Sequence, residues 1–373
     1  VSLSPSITLD RAKGKALDLM RSTYGNAAYD VLEGRLYVFA PPVVGDSGDP
    51  CLVWAIVAVS QTDPLAKEVI LVDAHSQDVR LHHSLVPQAL RREIYDAFNT
   101  SNDPGTLVRV EGGPIASVAD ANLAYDYLGD TYNFYSGYHG RDSIDGNGML
   151  LSATVRYCDP YDWCPMLNAF YDDWVGRMYF GDGMAADDVT AHELTHGVTA
   201  RTSNLAYYYE SGAINESFSD IWGEYVDLTN GKGNDSSGVR WLIGEDTPMN
   251  AFRNMADPTQ FGDPDIYYGA NWYSGSGDYG GVHFNCGVGN KLCYLVTDGD
   301  TFNGYSVQGM GIDKAADIFY RVQSVLIPGS GYSFAEKALK AIYIDYPDYG
   351  DLLVQAVTDL TVLEPGRFRE DDI

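Results

Sequence analysis

Two histidines one helical turn apart are the strongest chemical signal in this sequence. Residues 192–196 read HELTH, an H-E-x-x-H motif. On an α-helix, positions i and i+4 share one face, so His192 and His196 can bind one Zn²⁺ while Glu193 lies beside the metal. The chain has only 7 His, so chance is a poor explanation of the motif. The spacing therefore predicts a catalytic zinc site on a helix.

A second predicted helix supplies a third ligand. Glu216 lies between apolar residues that include Ile214 and Phe218, so we expect this helix to be buried. A carboxylate here completes a His₂Glu site and leaves the fourth position open for water. Asp220 follows one turn later and is spaced to accept a hydrogen bond from a ligand imidazole.

The apolar spacing also predicts the elements that position these residues. Helices are predicted over residues 8–22, 86–98, 115–135, 187–201, 214–229, 282–297, 311–325, 333–345 and 349–363. Strands are predicted over residues 35–40, 51–60, 68–72, 79–82 and 149–157. The predicted parts are an α+β module (1–90), a linker or processing region (91–106), a β-rich lobe ending in the central zinc helix (107–202) and a mainly helical lobe (203–373). The fold class is therefore α+β.

The charge of the chain excludes one class of partner. The 373 residues include 24 Lys plus Arg and 52 Asp plus Glu, which gives a formal net charge of -28. So acidic a protein repels the phosphate backbone of nucleic acids, and we expect no nucleic-acid partner. No apolar run approaches the roughly 18 residues of a membrane span, so we expect no membrane partner. Most of the acidity is expected to form a solvated surface.

Five cysteines are too few for a scaffold built on disulfides. Cys158 and Cys164 flank a short turn that could bring their Cα atoms within the roughly 4.4 to 6.8 Å that a disulfide requires, and two free thiols are the equal alternative. Cys286 and Cys293 fall in one predicted helix, about 10 Å apart along its axis, which is too far to pair. They are better interpreted as small buried apolar residues.

Beyond HELTH, longer blocks carry a family resemblance. They are residues 188–198 (DVTAHELTHGV), 207–223 (YYYESGAINESFSDIWG), 252–265 (FRNMADPTQFGDPD), 278–294 (DYGGVHFNCGVGNKLCY) and, more loosely, 167–183 (LNAFYDDWVGRMYFGDG). Taken in their order along the chain, over about residues 107 to 373, they resemble the thermolysin-like zinc metallopeptidases. The resemblance implies two lobes, the first rich in strands and the second in helices, joined by the central zinc-binding helix.

The resemblance also implies a role for each matching residue. His192, His196 and Glu216 would bind zinc, and Glu193 would be the general base. The other implied roles are as follows: His283 and Tyr207 bind the oxyanion, Asp278 orients His283, and Asp220 and Asn215 support the zinc-binding imidazoles. Asn168 and Ala169 would hold the peptide as an added strand, and Arg253 would bind a substrate carbonyl. Val189, Ile243 and Phe252 would line an apolar pocket, so we expect a hydrophobic residue after the scissile bond.

Calcium is the second metal that the resemblance implies. Asp188, Asp227 and Glu245 fall where relatives place calcium carboxylates, and a hard cation prefers such oxygen ligands. Arg240 stands where those relatives have a further acidic ligand, so we expect one structural Ca²⁺ rather than two. The Leu242 carbonyl is the additional ligand expected for it.

The leading module resembles the PepSY part of the propeptides that precede such enzymes, with VDAHSQDV at residues 72–79 as the local match. The resemblance implies a secreted endopeptidase made as a proenzyme, cut between about residues 88 and 102. We expect its partners to be a peptide or protein substrate and its own propeptide, and we expect a monomer whose export signal has been removed. The alternatives are a zinc aminopeptidase and an inactive peptide-binding scaffold of the same fold.

Overall fold

The computed structural model describes residues 2–25, 28–41, 49–61, 67–84, 90–161, 163–333, 335 and 338. The chain divides into two compact units, Val1–Gln88 and Ala89–Ile373. The first contains α1 (Leu9–Tyr24) and an antiparallel sheet in the order β1-β2-β3-β4. The four strands are β1 (Tyr29–Phe39), β2 (Cys51–Ser60), β3 (Lys67–Asp73) and β4 (Val79–Ser84).

The four-residue spacing of small and apolar residues explains how α1 packs in this first unit. Ala12, Ala16 and Met20 lie on one face of the helix and are fully buried, together with Ile56 and Ile70 of the sheet. The Thr8 side chain accepts a hydrogen bond from the backbone N–H of Arg11 and so caps the helix at its start.

The second unit begins with a five-stranded mixed sheet in the order β6-β5-β7-β9-β8. Its strands are β5 (Arg92–Thr100), β6 (Thr106–Val110), β7 (Leu151–Tyr157), β8 (Ala169–Asp172) and β9 (Arg177–Phe180). β7 runs parallel to β5 and β9, whereas β8 pairs antiparallel with β9 and forms an edge of the sheet. This edge faces the site described below.

The structure corrects the helix predicted over residues 86–98. Residues 92–100 form strand β5, and residues 85–89 lie outside the described residues. Ile94 enters the core, while buried Asp96 pairs with Arg156 of β7, a partner 60 residues away that helical periodicity cannot show. Residues 91–106, predicted as a linker, therefore contain strand β5 and the first residue of β6.

The helices that follow surround a single core. They are α2 (Ala119–His139), α3 (Asp187–Ala200), α4 (Tyr209–Asn230), α5 (Asp278–Asn285), α6 (Gly287–Thr297) and α7 (Ile312–Val325), with a 3₁₀ turn at Pro258–Phe261. Two short hairpins pair β10 (Leu242–Ile243) with β11 (Arg253–Asn254) and β12 (Gly299–Phe302) with β13 (Tyr305–Gln308). None of the helices in the described part of the chain is long and apolar enough to cross a membrane.

Three of the helix predictions need comment. The single helix predicted over 282–297 is broken at Cys286 into α5 and α6, and α5 contains left-handed residues near its start. The helix predicted over 349–363 lies outside the described residues, as does most of the one predicted over 333–345.

Aromatic packing fixes the relative positions of α2, α3 and α4. The ring centroid of Trp222 on α4 lies 5.5 Å from that of Tyr135 on α2 and 5.8 Å from that of Tyr225. The Tyr135 hydroxyl lies 2.9 Å from the hydroxyl of Thr195 on α3. Since α3 and α4 are buried along most of their length, their polar side chains face protein groups rather than bulk water.

Candidate active site

Two buried helices bring three ligating side chains together. His192 and His196 project from α3, and Glu216 projects from α4 with no exposed surface. The Nε2 atoms of the two imidazoles are 3.0 Å apart, and each lies 3.4 Å from one carboxylate oxygen of Glu216. One ligand atom from each residue lies within 4.8 Å of the other two.

Supporting hydrogen bonds orient both imidazoles toward this group. The Nδ1 atom of His192 lies 2.9 Å from an Asp220 carboxylate oxygen, and that of His196 lies 2.9 Å from the Asn215 side-chain oxygen. Because both partners are acceptors, each Nδ1 carries the proton and each Nε2 lone pair faces Glu216. Asp220 therefore contacts His192, and Asn215 contacts His196. Both contacts are with imidazoles that the resemblance implied they would support.

The chemistry of this donor set fits a zinc ion. Two imidazole nitrogens and one carboxylate leave a fourth tetrahedral position open, as in catalytic zinc sites. Oε2 of Glu216 is buried without a hydrogen-bond partner. A buried, charged oxygen without a partner is costly unless a cation binds it.

Glu193 lies next to the ligands on α3 and lines the same cleft. Its side chain is almost fully buried, and burial raises its pKa to about 7. A carboxylate with a pKa near neutral pH is well matched to proton transfer at that pH.

Tyr207 and His283 form the other side of the site. The Tyr207 hydroxyl lies 3.0 Å from Nε2 of His283 and donates to Glu216. Asp278 fixes the His283 ring: one carboxylate oxygen lies 2.6 Å from Nδ1, and the other accepts the His283 backbone N–H at 2.9 Å. Two hydrogen-bond donors are thus held beside the metal ligands.

Arg253 takes part in a buried network as well as lining the cleft. Its guanidinium donates to both carboxylate oxygens of Asp220, at 2.8 and 2.5 Å. Asn290 of α6 also donates to Asp220, at 2.7 Å. The sequence prediction missed Asn290, although it lies within the block 278–294. Three neighbouring side chains therefore depend on one carboxylate, because His192 is bound to it as well.

The cleft has a volume of about 780 Å³. The residues predicted to bind substrate that line it are Asn168, Ala169, Val189, Ile243, Phe252 and Arg253. Met184, Met249 and Tyr279 also line it and were not predicted. Sequence spacing gives no signal for the methionines, which reach the cleft from loops far apart in the chain. Tyr279, in contrast, directly follows Asp278 in a recognised block.

The residues predicted to bind calcium form a separate buried acidic group. Asp188 accepts backbone hydrogen bonds from Val189 and Gly244, whereas Asp227 and Glu245 each have a buried carboxylate oxygen without a hydrogen-bond partner. Burial, followed by neighbouring carboxylates, raises the pKa of Asp227 to about 10 and that of Glu245 to about 8.

This acidic group departs from the prediction in two ways. Among the described residues, three ligating groups approach within 4.8 Å of one another at His192, His196 and Glu216 and not at the predicted calcium carboxylates. Glu224, which the sequence analysis did not single out, is buried beside the group, and one of its oxygens also lacks a hydrogen-bond partner. Arg240 pairs with Asp298 at 2.8 and 2.9 Å. Leu242 is half-buried in β10.

The structure joins Cys158 and Cys164 by a disulfide in the segment between β7 and β8. Cys286 and Cys293 are buried free thiols, as predicted.

Comparison with known proteins places the chain in a family. A family model described as the thermolysin metallopeptidase catalytic domain matches residues 74–200, and the model for the alpha-helical domain of the same peptidases matches residues 203–359. The chain belongs to the thermolysin metallopeptidase family. The predictions of family and fold class are therefore confirmed. This family uses a catalytic zinc ion and structural calcium.

Relatives in the thermolysin family support the same assignment. The chain is 45% identical over 291 residues to a zinc metalloproteinase of Renibacterium salmoninarum, an alignment that covers 73% of this chain and 52% of the relative. It is 40% identical over 255 residues to thermolysin of Alicyclobacillus acidocaldarius, covering 64% of this chain and 44% of the relative. The chain thus spans about half the length of these relatives.

A solved structure is similar to this chain over most of its length. The precursor of protealysin, a metalloproteinase from Serratia proteamaculans, superposes with a TM-score of 0.62 at 28% sequence identity. The superposition covers 74% of this chain and 88% of the precursor.

Proposed function

We propose that this chain is a zinc-dependent endopeptidase that hydrolyses internal peptide bonds. The observation that carries the proposal is the grouping of His192, His196 and Glu216 in one cleft with a buried carboxylate and two hydrogen-bond donors. Glu193, which can transfer a proton, and the Tyr207 and His283 side chains, which can bind an oxyanion, therefore lie around the same metal position.

Each residue of this group has a step to perform. Zinc, when bound, lowers the pKa of water and polarises the scissile carbonyl. Glu193 accepts the proton of the attacking water and passes it to the leaving amine. The Tyr207 hydroxyl donates to the carbonyl oxygen as negative charge develops on it. With Nδ1 donating to Asp278, a protonated His283 donates from Nε2 to the same oxygen.

The cleft also suits an extended peptide with an apolar side chain. β8 forms an edge of its sheet, so a substrate can add to Asn168 and Ala169 as a further strand. Val189, Ile243 and Phe252 provide the apolar pocket for the residue after the scissile bond. We propose that Arg253, held by Asp220, binds a substrate carbonyl from its place in the cleft wall.

One digestion tests this function against its alternatives. The substrate is an internally quenched peptide blocked at both ends, with and without a zinc chelator. An endopeptidase cleaves it, and chelation abolishes the cleavage. An aminopeptidase cleaves only a matched peptide with a free N terminus. An inactive scaffold binds the blocked peptide and cleaves neither.

Loss of the His283 side chain is expected to slow catalysis without releasing zinc. His283→Ala should lower kcat by about 10²- to 10³-fold, the range for loss of an oxyanion donor. Stopped-time assays on the quenched peptide measure kcat, and atomic absorption measures bound zinc. Wild-type turnover in this variant would reject the role given to His283.

Calcium is expected to stabilise the protein through the group Asp188, Asp227 and Glu245. A cation relieves the repulsion and desolvation that raise the pKa values of these carboxyls. At a calcium concentration 100 times the Kd, binding adds about 2.7 kcal/mol to the free energy of unfolding. A chelator selective for calcium should therefore lower Tm by several degrees.

Two variants sharpen this calcium test. Asp227→Asn should remove most of the dependence of Tm on calcium, because it deletes one buried carboxylate of the group. Asp235→Asn is the matched control, since Asp235 is exposed and should keep the full calcium effect. A Tm independent of calcium in the wild type would refute a structural calcium ion.

We further propose that the N-terminal unit is a propeptide and that the protein acts outside the cell. The similarity to a precursor structure supports the first proposal, and the Cys158–Cys164 disulfide, a bond typical of oxidising compartments, supports the second. Because β5 begins at Arg92, cleavage before this residue leaves the sheet intact.

Incubation of the purified chain with zinc should therefore remove about 10 kDa, as expected for a small domain. The Glu193→Gln variant should stay at full length under the same conditions. Full activity with an intact N terminus would contradict the propeptide assignment.

A further inference from the structure

Tyr279 lies at the cleft in a backbone conformation that tyrosine rarely adopts. Its φ is 50° and its ψ is 28°, in the left-handed region. This region is open to glycine and is visited occasionally by asparagine and aspartate, but it crowds the Cβ of other residues, most of all bulky ones. The next two residues, Gly280 and Gly281, are left-handed as well, with φ of 94° and 85°. A bulky residue held in this way points to a function for the strained position.

The turn around Tyr279 is fixed by its neighbours. Asp278 binds both the ring and the backbone of His283. The Gly280 and Gly281 N–H groups donate to the carbonyl of Gly277, at 2.9 and 3.1 Å. A Cβ on Gly280 would meet the Tyr209 ring at 2.2 Å, so this backbone is tightly enclosed. The conformation of Tyr279 is therefore imposed by the turn that presents His283.

Burial does not explain why a tyrosine occupies this position. Tyr279 is 61% exposed, and within the described part of the chain its hydroxyl makes no hydrogen bond. Its ring packs against the ring of Tyr207, edge to face, with centroids 5.6 Å apart and an interplanar angle of 67°. This contact is what the strained turn provides.

Tyr207 has a hydroxyl that must stay in place and a ring that is partly open to solvent. The hydroxyl contacts Glu216 and Nε2 of His283, while the residue is 36% exposed. The rings of His196 and His283 flank it, at centroid distances of 5.9 and 6.1 Å. Tyr279 adds a third, closer ring, so it limits the ways in which Tyr207 can turn out of the site.

We propose that Tyr279 is a positioning residue that holds the Tyr207 ring so that its hydroxyl stays where the substrate oxyanion forms. This inference rests on the proposed endopeptidase function. It predicts an effect on kcat rather than on KM, because the Tyr207 hydroxyl interacts most strongly with the charge that develops in the transition state.

Stability and activity should change in opposite directions in the Tyr279→Asn variant. Asparagine tolerates the left-handed region, so Tm should stay the same or rise. Without the supporting ring, kcat should fall about three- to tenfold, a smaller loss than deletion of an oxyanion donor causes, with KM within about twofold. Tyr279→Phe retains the ring and should restore turnover.

A matched control separates this effect from a general effect of the substitution. Tyr268 is also a tyrosine with a left-handed backbone, with φ of 54°, and it is 57% exposed, but it lies outside the cleft. Tyr268→Asn should leave kcat unchanged.

A double-mutant cycle shows whether Tyr279 acts through Tyr207. Tyr207→Phe removes the hydroxyl and keeps the ring. In this background, adding Tyr279→Asn should change kcat by less than about twofold, because no hydroxyl remains to be positioned.

An equal loss in both backgrounds would show direct contact with substrate and overturn the proposal. An undiminished kcat in Tyr279→Asn would overturn it as well. If the wild-type protein still cleaved the peptide after zinc chelation, the proposed zinc-dependent function would be refuted. That result is distinct from failure of the Tyr279 proposal, because it does not depend on the comparison between variants.

Discussion

Glu193→Gln is expected to abolish most peptide hydrolysis while the protein keeps its fold and its zinc. The amide cannot accept the proton of the attacking water or return it to the leaving amine. Loss of a general base costs about 10² to 10⁴ in rate, so kcat should fall by that factor. The quenched, end-blocked peptide measures the loss under the conditions of the wild-type assay.

The Glu193→Gln variant should be at least as stable to heat as the wild type, although it is less active. Burial raises the pKa of Glu193 to about 7, which means that the folded protein disfavours the charged carboxylate. A neutral amide of similar size avoids that desolvation, so Tm should be equal or higher. Equal zinc content in both proteins is the control. Substantial turnover by Glu193→Gln would mean that another group is the base and would reject the mechanism.

The zinc-binding group was predictable because its geometry is mostly local. His192 and His196 are one turn apart on a helix, so any helical structure over residues 187–200 brings their rings together. Asp220 stands in the same relation to Glu216 on α4. What the sequence could not show is how α3 and α4 pack, which depends on non-local contacts such as that between Tyr135 and Trp222.

β5 shows why part of the fold was not predictable. Its residues do not alternate cleanly between apolar and polar, because polar Asp96 is buried beside apolar Ile94 and Ala97. The ion pair between Asp96 and Arg156 makes that burial tolerable, and it joins residues 60 positions apart. A pattern read over neighbouring residues therefore suggested a helix where the sheet required a strand.

The sequence pattern also could not predict the left-handed turn at Tyr279 or the ion-pair partner of Arg240. The glycines at 280 and 281 hint at a break, but the left-handed backbone of Tyr279 follows from the enclosed turn around it. Arg240 was expected only to displace a calcium ligand. Its actual partner, Asp298, lies on the chain beyond α6 and is brought close by tertiary packing.

Asp220→Ala is expected to be the most destabilising substitution near the site. Asp220 is fully buried, and it accepts hydrogen bonds from Arg253, Asn290 and His192. Removing it leaves the Arg253 cation buried without its partner, which costs about 3 to 5 kcal/mol in other proteins. Urea unfolding in the presence of excess zinc should show a loss of this size.

The same substitution should weaken zinc binding, because the His192 ring loses the acceptor that orients it. Loss of such a partner lowers metal affinity by about 10- to 100-fold, which competition with a chromogenic chelator measures. Asp220→Asn keeps the shape and one acceptor but not the charge, so it should recover more zinc affinity than stability. Asp18→Ala is the control for an arginine pair at the surface, where 71% of the Asp18 side chain and 47% of the Arg21 side chain are exposed, and it should cost about 1 kcal/mol or less. If Asp220→Ala were no more destabilising than Asp18→Ala, the Arg253 charge must be solvated in the variant, and the buried network could not be what holds α3, α4 and β11 around the metal position.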